Sequence, residues 1–453
     1  MFVTFAANYI GLSESGSLSR GKALLFLVGL IVFLVGLFTR ENDWHDPRSF
    51  FERLKTLYKS AALLTFNTVV LLICLEAIAT IFFKASSLLS KPATTPTAIT
   101  SLLRAQTAKS AESSYYTSQA WASKYWYEHF LVAEKSSSGN YFPYVIWRRA
   151  PFNGETINID QQGIRKTPGT NCVPGAYKVF TFGGSTMWGY GAPDWGTIPA
   201  NLQTDLAKLT RKPLCIINYA DMAYVSTQGV IELMLQLQAG NIPDLVIFYD
   251  GINDTDLAYR EGRVDRHFYT DQIAARFEGK DNNNGNTLAD WLKSSASFTL
   301  FKTLVFKLLP EQTTPELQTV DYRSFGIDKY RLSDSVVQEY LANYEIVDAL
   351  SQKYSFKSLF FWQPVISIGK KSLTNEEEQF LSAMTSPRVD FFDVVYKKIE
   401  RDSIGYQNLY YIADVFDQKK DQIWIDWEHV TPVGNQLVAR SMLDIIEQSD
   451  LIK

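Results

Sequence analysis

The sequence predicts a doubly wound α/β fold, and three observations carry that prediction. From residue 178 onward, apolar β-branched runs alternate with stretches of helical periodicity. After Asp244, the run 244–249 is apolar on both faces, as in a parallel strand covered on both sides. The runs end in loops of small and polar residues, and the carboxyl ends of strands are where ligands of open α/β sheets bind.

Residues 178–182 read as a buried strand that stops at Gly183-Gly184, with Ser185 following at once. Glycines let a chain turn sharply, so Ser185 is either part of an ordinary strand-to-loop turn or a nucleophile held at the rim of the sheet. Thr197 can cap a helix with Pro199 in its first turn and Ile198, Leu202 and Leu206 on one face. A second strand spans 214–219 and opens into the loop 218–224. A helix from Ser226 to about Ala239 follows, with Gly240 suited to its end. The third strand, 244–249, ends at Asp250-Gly251-Ile252-Asn253-Asp254. Further on come a helix over 336–350, a strand over 358–362, a last strand over 410–415 and a terminal helix from Thr431-Pro432. Residues 255–330 break the rhythm and are expected to be an insertion: a lid, a surface elaboration or an amphipathic piece.

Upstream of the α/β region the composition changes. Residues 23–38 are unbroken apolar sequence, and 61–83 are interrupted only by Asn67, Glu76 and a few threonines. With Gly21 and Thr39 extending the first, both are long enough for the roughly 20 residues a membrane span needs, so a two-helix hairpin at about 22–39 and 61–83 is expected within residues 1–83. A signal peptide with Arg20 and Lys22 as its basic start is the rival for the first run. Arg40, Arg48, Arg53, Lys55 and Lys59 lie between the runs and only Arg20 and Lys22 precede them. That bias places the 39–60 loop in the cytoplasm and the domain from 115 to 453 outside it, periplasmic or extracellular. Glu76 is expected to take a structural role near an interface. Residues 84–114, rich in Ser, Thr and Ala, read as a linker. The aromatics at 115, 116, 121 and 125–127 form either a packing face, an interfacial belt or a carbohydrate platform, and His129 beside them reads as structural or surface-exposed.

The 453 residues are 46% hydrophobic and 14% aromatic, enough for a sizeable core. A formal net charge of −4 leaves no electrostatic footprint for nucleic acid. No metal-ligand spacing is present, and no cofactor is expected. Cys172 precedes the first predicted strand and Cys215 stands at the start of the second, and they form either one disulfide or two inert buried thiols. With only four histidines, the choice of a catalytic base is narrow. His267, in the charged insertion, reads as solvent-facing. Oligomeric state is not legible.

Chemistry concentrates at Ser185, the 218–224 loop, Asn253 and Asp426-Trp427-Glu428-His429. Asp426 and His429 are three residues apart, close enough for the carboxylate to orient the imidazole. A serine needs such a base to become a nucleophile, and amide groups suit a developing oxyanion. Asp254 reads as a turn stabiliser, and Glu428 competes with Asp426 for the histidine.

Gly183-Gly184-Ser185-Thr186, Gly251-Ile252-Asn253-Asp254 and Asp426-Trp427-Glu428-His429 resemble, in order and spacing, blocks of the SGNH (GDSL-like) hydrolases. Tyr144-Val145-Ile146-Trp147-Arg148 and Asp160-Gln161-Gln162-Gly163-Ile164-Arg165 resemble the preamble of membrane-anchored bacterial members. The resemblance covers roughly 140–448, with 255–330 set aside. It implies a flavodoxin-like, mostly parallel sheet of about five strands. It also implies a Ser185 nucleophile, a His429 base and an orienting Asp426. The oxyanion hole would be formed by Ser185, Ala223 and Asn253, supported by Gly184 and Gly251. Glycine is usual in the family where Ala223 stands, so the hole depends on the dihedrals that Ala223 adopts. The implied activity is a carboxylic ester hydrolase acting on an extracytoplasmic ester such as an O-acetylated glycan. A glycan O-acyltransferase, a non-catalytic scaffold in envelope polysaccharide assembly and a lipid-directed enzyme are the alternatives.

Overall fold

A computed structural model describes residues 47–89, 113–137, 140–278, 320–449 and 451–452. The chain divides into two compact units, residues 1–92 with 285–311, and residues 93–284 with 312–453.

Of the first unit, one helix is described, α1 (Pro47–Leu89). It contains the second expected span but begins well before it, so the expected loop is helical from Pro47 onward. Pro47 suits a helix start, and the Arg, Glu, Leu and Lys residues that follow are good helix formers. Thr65 and Thr68 turn their hydroxyls back onto Ala61 O and Leu64 O. Among the described residues no helix is long and apolar enough to cross a membrane. The expected hairpin therefore has no support there; its first span, 22–39, lies outside the described residues, as does most of the 84–114 linker.

The second unit opens with α2 (Ser114–Thr117) and α3 (Ala122–Ser137), then two short antiparallel ladders, β1 (Tyr141–Phe142) with β2 (Ile146–Trp147) and β3 (Phe152–Asn153) with β4 (Asn158–Ile159). The core follows as β5 (Tyr177–Gly183), α4 (Ser185–Trp188), α5 (Ile198–Leu206), β6 (Leu214–Asn218), α6 (Ser226–Gln238) and β7 (Leu245–Asp250). It continues with α7 (Ile252–Glu261), α8 (Thr270–Phe277), α9 (Lys329–Tyr354) and β8 (Lys357–Trp362). It closes with α10 (Asn375–Ser382), α11 (Ser386–Ser403), β9 (Leu409–Tyr411) and α12 (Pro432–Gln448). Five strands form one parallel sheet in the order β6-β5-β7-β8-β9. This is the flavodoxin-like order, in which the chain reverses direction between β5 and β7 and leaves a crevice at their carboxyl ends.

Alternate side chains of the strands feed two cores. Val179, Ile247 and Phe361 face α5 and α12, packing with Leu202, Leu206, Val438 and Met442. Phe182, Phe248 and Phe360 face α6, α9 and α11, packing with Leu233, Val336 and Val395. These three rings stack across adjacent strands, with centroids 4.7 and 4.9 Å apart. Burial on both faces explains why the strands read as continuous apolar runs.

Three boundaries differ from expectation. Residues 255–261 belong to α7, which packs into the core through Leu257, Ala258 and Tyr259, so the insertion starts at Gly262; residues 279–319 of it lie outside the described ones. α9 begins at Lys329 because Asp328 caps it by accepting from Arg331 N. The last strand is only three residues: Ile412 N still donates to Trp362 O, and the chain then enters turns, with Ile412 and Phe416 both buried in the core.

The N-terminal aromatics pack. Tyr116, Tyr125 and Trp126 are buried, and Tyr125 Oη accepts from Gly191 N while Tyr116 Oη donates to Gly191 O. Of the readings left open for these rings, the packing face holds for Tyr116, Tyr125 and Trp126, with Tyr115 and Trp121 partly buried against them and Tyr127 exposed. Cys172 and Cys215 form a disulfide, with 4.7 Å between Cα atoms.

Candidate active site

Ser185 is the first residue of α4, directly beyond the end of β5. Gly183 holds φ at 153°, and a Cβ there would lie 2.4 Å from Tyr249 O. At Gly184 a Cβ would lie 2.2 Å from Asn253 Nδ2. The first glycine lets β5 approach β7, and the second lets Asn253 reach the turn. Gly251 holds φ at 123° against the Trp362 ring, which sends Asn253 back over the strand end. Gln363, at the end of β8, donates to Tyr249 O at 3.1 Å and to Thr186 Oγ1, and accepts from Ile252 N at 3.1 Å. The turns after β5 and β7 are thereby tied to one amide.

His429 precedes α12 and is 4% exposed. Its Nε2 is 2.7 Å from Ser185 Oγ and its Nδ1 2.7 Å from Asp426 Oδ2. Asp426 Oδ1 accepts from the backbone N–H of His429 at 2.7 Å and of Glu428 at 2.9 Å, so the carboxylate and imidazole are oriented by one tight turn. Tyr190 packs on the imidazole at 4.3 Å between centroids. Burial disfavours charge on His429, but the Asp426 and Glu428 carboxylates and the Asp426 hydrogen bond outweigh it and hold its pKa above the ordinary 6.5. Burial opposes the Asp426 charge too, yet His429 and the two backbone donors keep its pKa below the usual carboxylate value. Glu428 Oε1 stands 4.0 Å from Nδ1, so Asp426 holds the ring.

The loop after β6 completes the site. Ala220 N donates to Asn218 Oδ1, Asp221 N to Gly183 O, and Met222 O accepts from Trp147 Nε1. Tyr224 O accepts from Asn253 Nδ2 at 2.8 Å. Between these pinned neighbours Ala223 sits at φ 62°, the left-handed conformation. This is the backbone glycine would take, and alanine reaches it at a cost of roughly 1–2 kcal/mol. The N–H groups of Ser185 and Ala223 have no hydrogen-bond partner among the described residues. Both residues line one cavity of about 370 Å³ with Asn253 and His429. Asn253 has a second amide hydrogen beyond the one given to Tyr224 O.

The structure thus brings Ser185, His429 and Asp426 into one hydrogen-bonded chain, with Ala223 and Asn253 at the same cavity. Asp254 stays outside the chemistry, capping α6 by accepting from Ser226 N and Oγ. His267 is half-buried against Trp147, not solvent-facing, because the start of the insertion folds over the β1–β2 ladder. His129 lines the cavity, buried among Tyr125, Trp126 and Tyr190, with Nδ1 unpartnered. Burial, with Arg149, Arg165 and His429 nearby, pulls its pKa down to about 3, so it is a neutral ring. Nothing in the sequence around His129 marks that position. Arg165 is the other residue that sequence reasoning left without a role. It is buried, pairs with Asp194 at 2.9 Å and donates to the carbonyls of Trp188, Gly189 and Ala192, fastening the chain just after Ser185. Among the described residues no group of three His, Cys, Asp or Glu side chains is placed to hold a metal ion.

No family model and no curated protein matches the chain. Solved structures similar to it include an acetyl xylan esterase, 16% identical over 59% of this chain and 99% of that one, at a TM-score of 0.31. A member of the lipolytic G-D-S-L family from Veillonella parvula is 11% identical over 60% and 98%, at 0.31. A lipase/acylhydrolase from Enterococcus faecalis is 14% identical over 60% and 96%, at 0.30. None reaches a TM-score at which likeness carries weight, so the site's chemistry is read from this chain's own atoms.

Proposed function

We propose that this chain is a serine esterase of the SGNH type that works through an acyl-enzyme on an extracytoplasmic ester, an O-acetylated glycan being the substrate class. The observation that carries the reading is the continuous 2.7 Å and 2.7 Å chain from Ser185 Oγ through His429 to Asp426. His429 Nε2 takes the hydroxyl proton as Ser185 Oγ attacks the carbonyl carbon, and Asp426 stabilises the imidazolium. Negative charge on the carbonyl oxygen meets the N–H groups of Ser185 and Ala223 and the Asn253 amide. The imidazolium then returns its proton to the departing sugar oxygen, leaving Ser185 acylated. Water, activated by the same ring, releases the acid and restores the serine; a sugar hydroxyl in place of water gives transfer.

Location outside the cytoplasm is supported by the Cys172–Cys215 disulfide, a bond that persists in oxidising compartments. Attachment to a membrane rests on the apolar run 23–38 alone and is read by fractionation of the full chain. Against a non-catalytic scaffold, the reading is supported by Ala223, which at φ 62° holds the left-handed backbone that glycine would take.

The test is turnover of an aryl acetate together with labelling by a serine-reactive phosphonate. Release of the aryl alcohol and stoichiometric labelling, both lost in Ser185→Ala, are expected. A folded wild-type chain that neither turns over nor labels, or labelling that survives Ser185→Ala, sinks the proposal. Repeating turnover with a glycan acceptor separates hydrolysis from transfer.

A further inference from the structure

The Ser185 cavity is also lined by Asp256, Arg260, Phe268, Arg388, Trp427 and Glu428, none of which the acyl-enzyme chemistry uses. Arg388 lays its guanidinium 3.9 Å from the centre of a Trp427 ring and donates from Nη2 to Asp256 Oδ1. Its Nε is buried without a hydrogen-bond partner. Arg260 Nη1 lies 3.8 Å from the other oxygen of the same carboxylate, with its guanidinium 5.5 Å from the centre of the Phe268 ring. Two guanidiniums therefore share one carboxylate, and both rest on aromatic faces that fix their planes. A single arginine would neutralise Asp256. The second leaves a positive charge and unfilled donors in a cavity that already holds a nucleophile.

We propose that Arg388 and Arg260 form a subsite for a carboxylate carried by the substrate, so that the ester cleaved belongs to an acidic glycan. The proposal rests on the esterase reading for the identity of the bound molecule. A guanidinium fork matches a carboxylate in geometry and charge, which an ammonium does not reproduce. Among the described residues the other acidic group of the cavity wall is Glu428, which hydrogen-bonds neither arginine. Its carboxyl is pushed up to about 7 by burial and by Asp426 and Asp256, against the pull of His429 and Arg388. Below that pH it is uncharged and leaves the surplus positive charge uncompensated; above it, Glu428 competes with the ligand.

Titration calorimetry on the full chain, with D-glucuronate and D-glucose as probes, tests this. At pH 6 glucuronate is expected to bind about ten-fold or more tightly than glucose, as befits charge-assisted bonds. The gap narrows at high salt and toward pH 8. Arg260→Gln, at a half-exposed side chain, and Arg388→Lys, which keeps the charge beside Asp256, should each close most of it. Equal affinity for the two sugars, binding of neither, or a gap that both variants leave intact overturns the subsite. Aryl acetate turnover is read separately. Turnover without glucuronate preference defeats only the subsite, and glucuronate preference without turnover defeats only the esterase.

Discussion

At the scale of single residues, the site depends on one proton and one strained backbone. In the proposed mechanism His429 must be neutral to accept the serine proton, and its carboxylate neighbours raise its pKa above the ordinary 6.5. kcat/KM is therefore expected to fall as pH drops through a value above 6.5. Asp426→Asn removes the largest charge favouring the imidazolium, so the acid limb should move to lower pH while kcat falls about 10³–10⁴-fold. A pH–rate profile of both proteins checks this; an unmoved limb would detach Asp426 from the base. Ala223 gives a second, independent reading. Ala223→Gly relieves the cost of φ 62° and adds unfolded-state entropy, so stability should stay within about 1 kcal/mol and activity should persist. Ala223→Val forces a β-branched residue into the same dihedral, turning the N–H out of place. Loss of one oxyanion donor should lower kcat about 10²–10³-fold. Equal activity of the glycine and valine variants would place the Ala223 N–H outside the mechanism.

At the scale of elements, Ser185 and Asn253 stand at helix starts, Ala223 in the loop beyond β6, and Asp426 and His429 in the turn that leads into α12. The glycines are there because neighbouring backbone and side chains leave no room for a Cβ. Arg165 plays the matching part from outside the sheet, binding three carbonyls of the segment that follows Ser185. Arg165→Met should cost about 3–5 kcal/mol, because it strands Asp194 and those carbonyls in the interior. Denaturant unfolding measures it; a loss below about 1 kcal/mol would mean the segment holds itself. That role was hidden in the sequence, where Arg165 is one basic residue in a turn. Its partner Asp194 lies on a different loop, and only folding makes them neighbours.

At the scale of the whole molecule, the sheet order β6-β5-β7-β8-β9 puts the turns after β5, β6 and β7 beside one another, and α12 returns His429 to the same rim. Residue 185 and residue 429 meet because a parallel sheet aligns all its carboxyl ends on one side. The Cys172–Cys215 bridge ties the segment before β5 to β6 and closes 43 residues of sequence. Replacing both cysteines by serine should lower stability by about 2–5 kcal/mol. Thermal unfolding with and without reductant reads the same quantity, and an unchanged Tm under full reduction would refute it.

The alternation of strand and helix, the apolar runs, the glycine turns and the triad residue types were all legible in the sequence. They are set by local sterics and by which side chains can be buried, and both are written along the chain. The insertion boundary, the extent of α1 and the place of the aromatic cluster were not, because a helix or a ring declares its surroundings only when something packs on it. The cavity roles of His129, Arg260 and Arg388 belong to the same class. A histidine on an early helix and arginines 128 positions apart come to line one cavity through nearness in space. Sequence spacing does not encode that distance, and only the tertiary fold decides it.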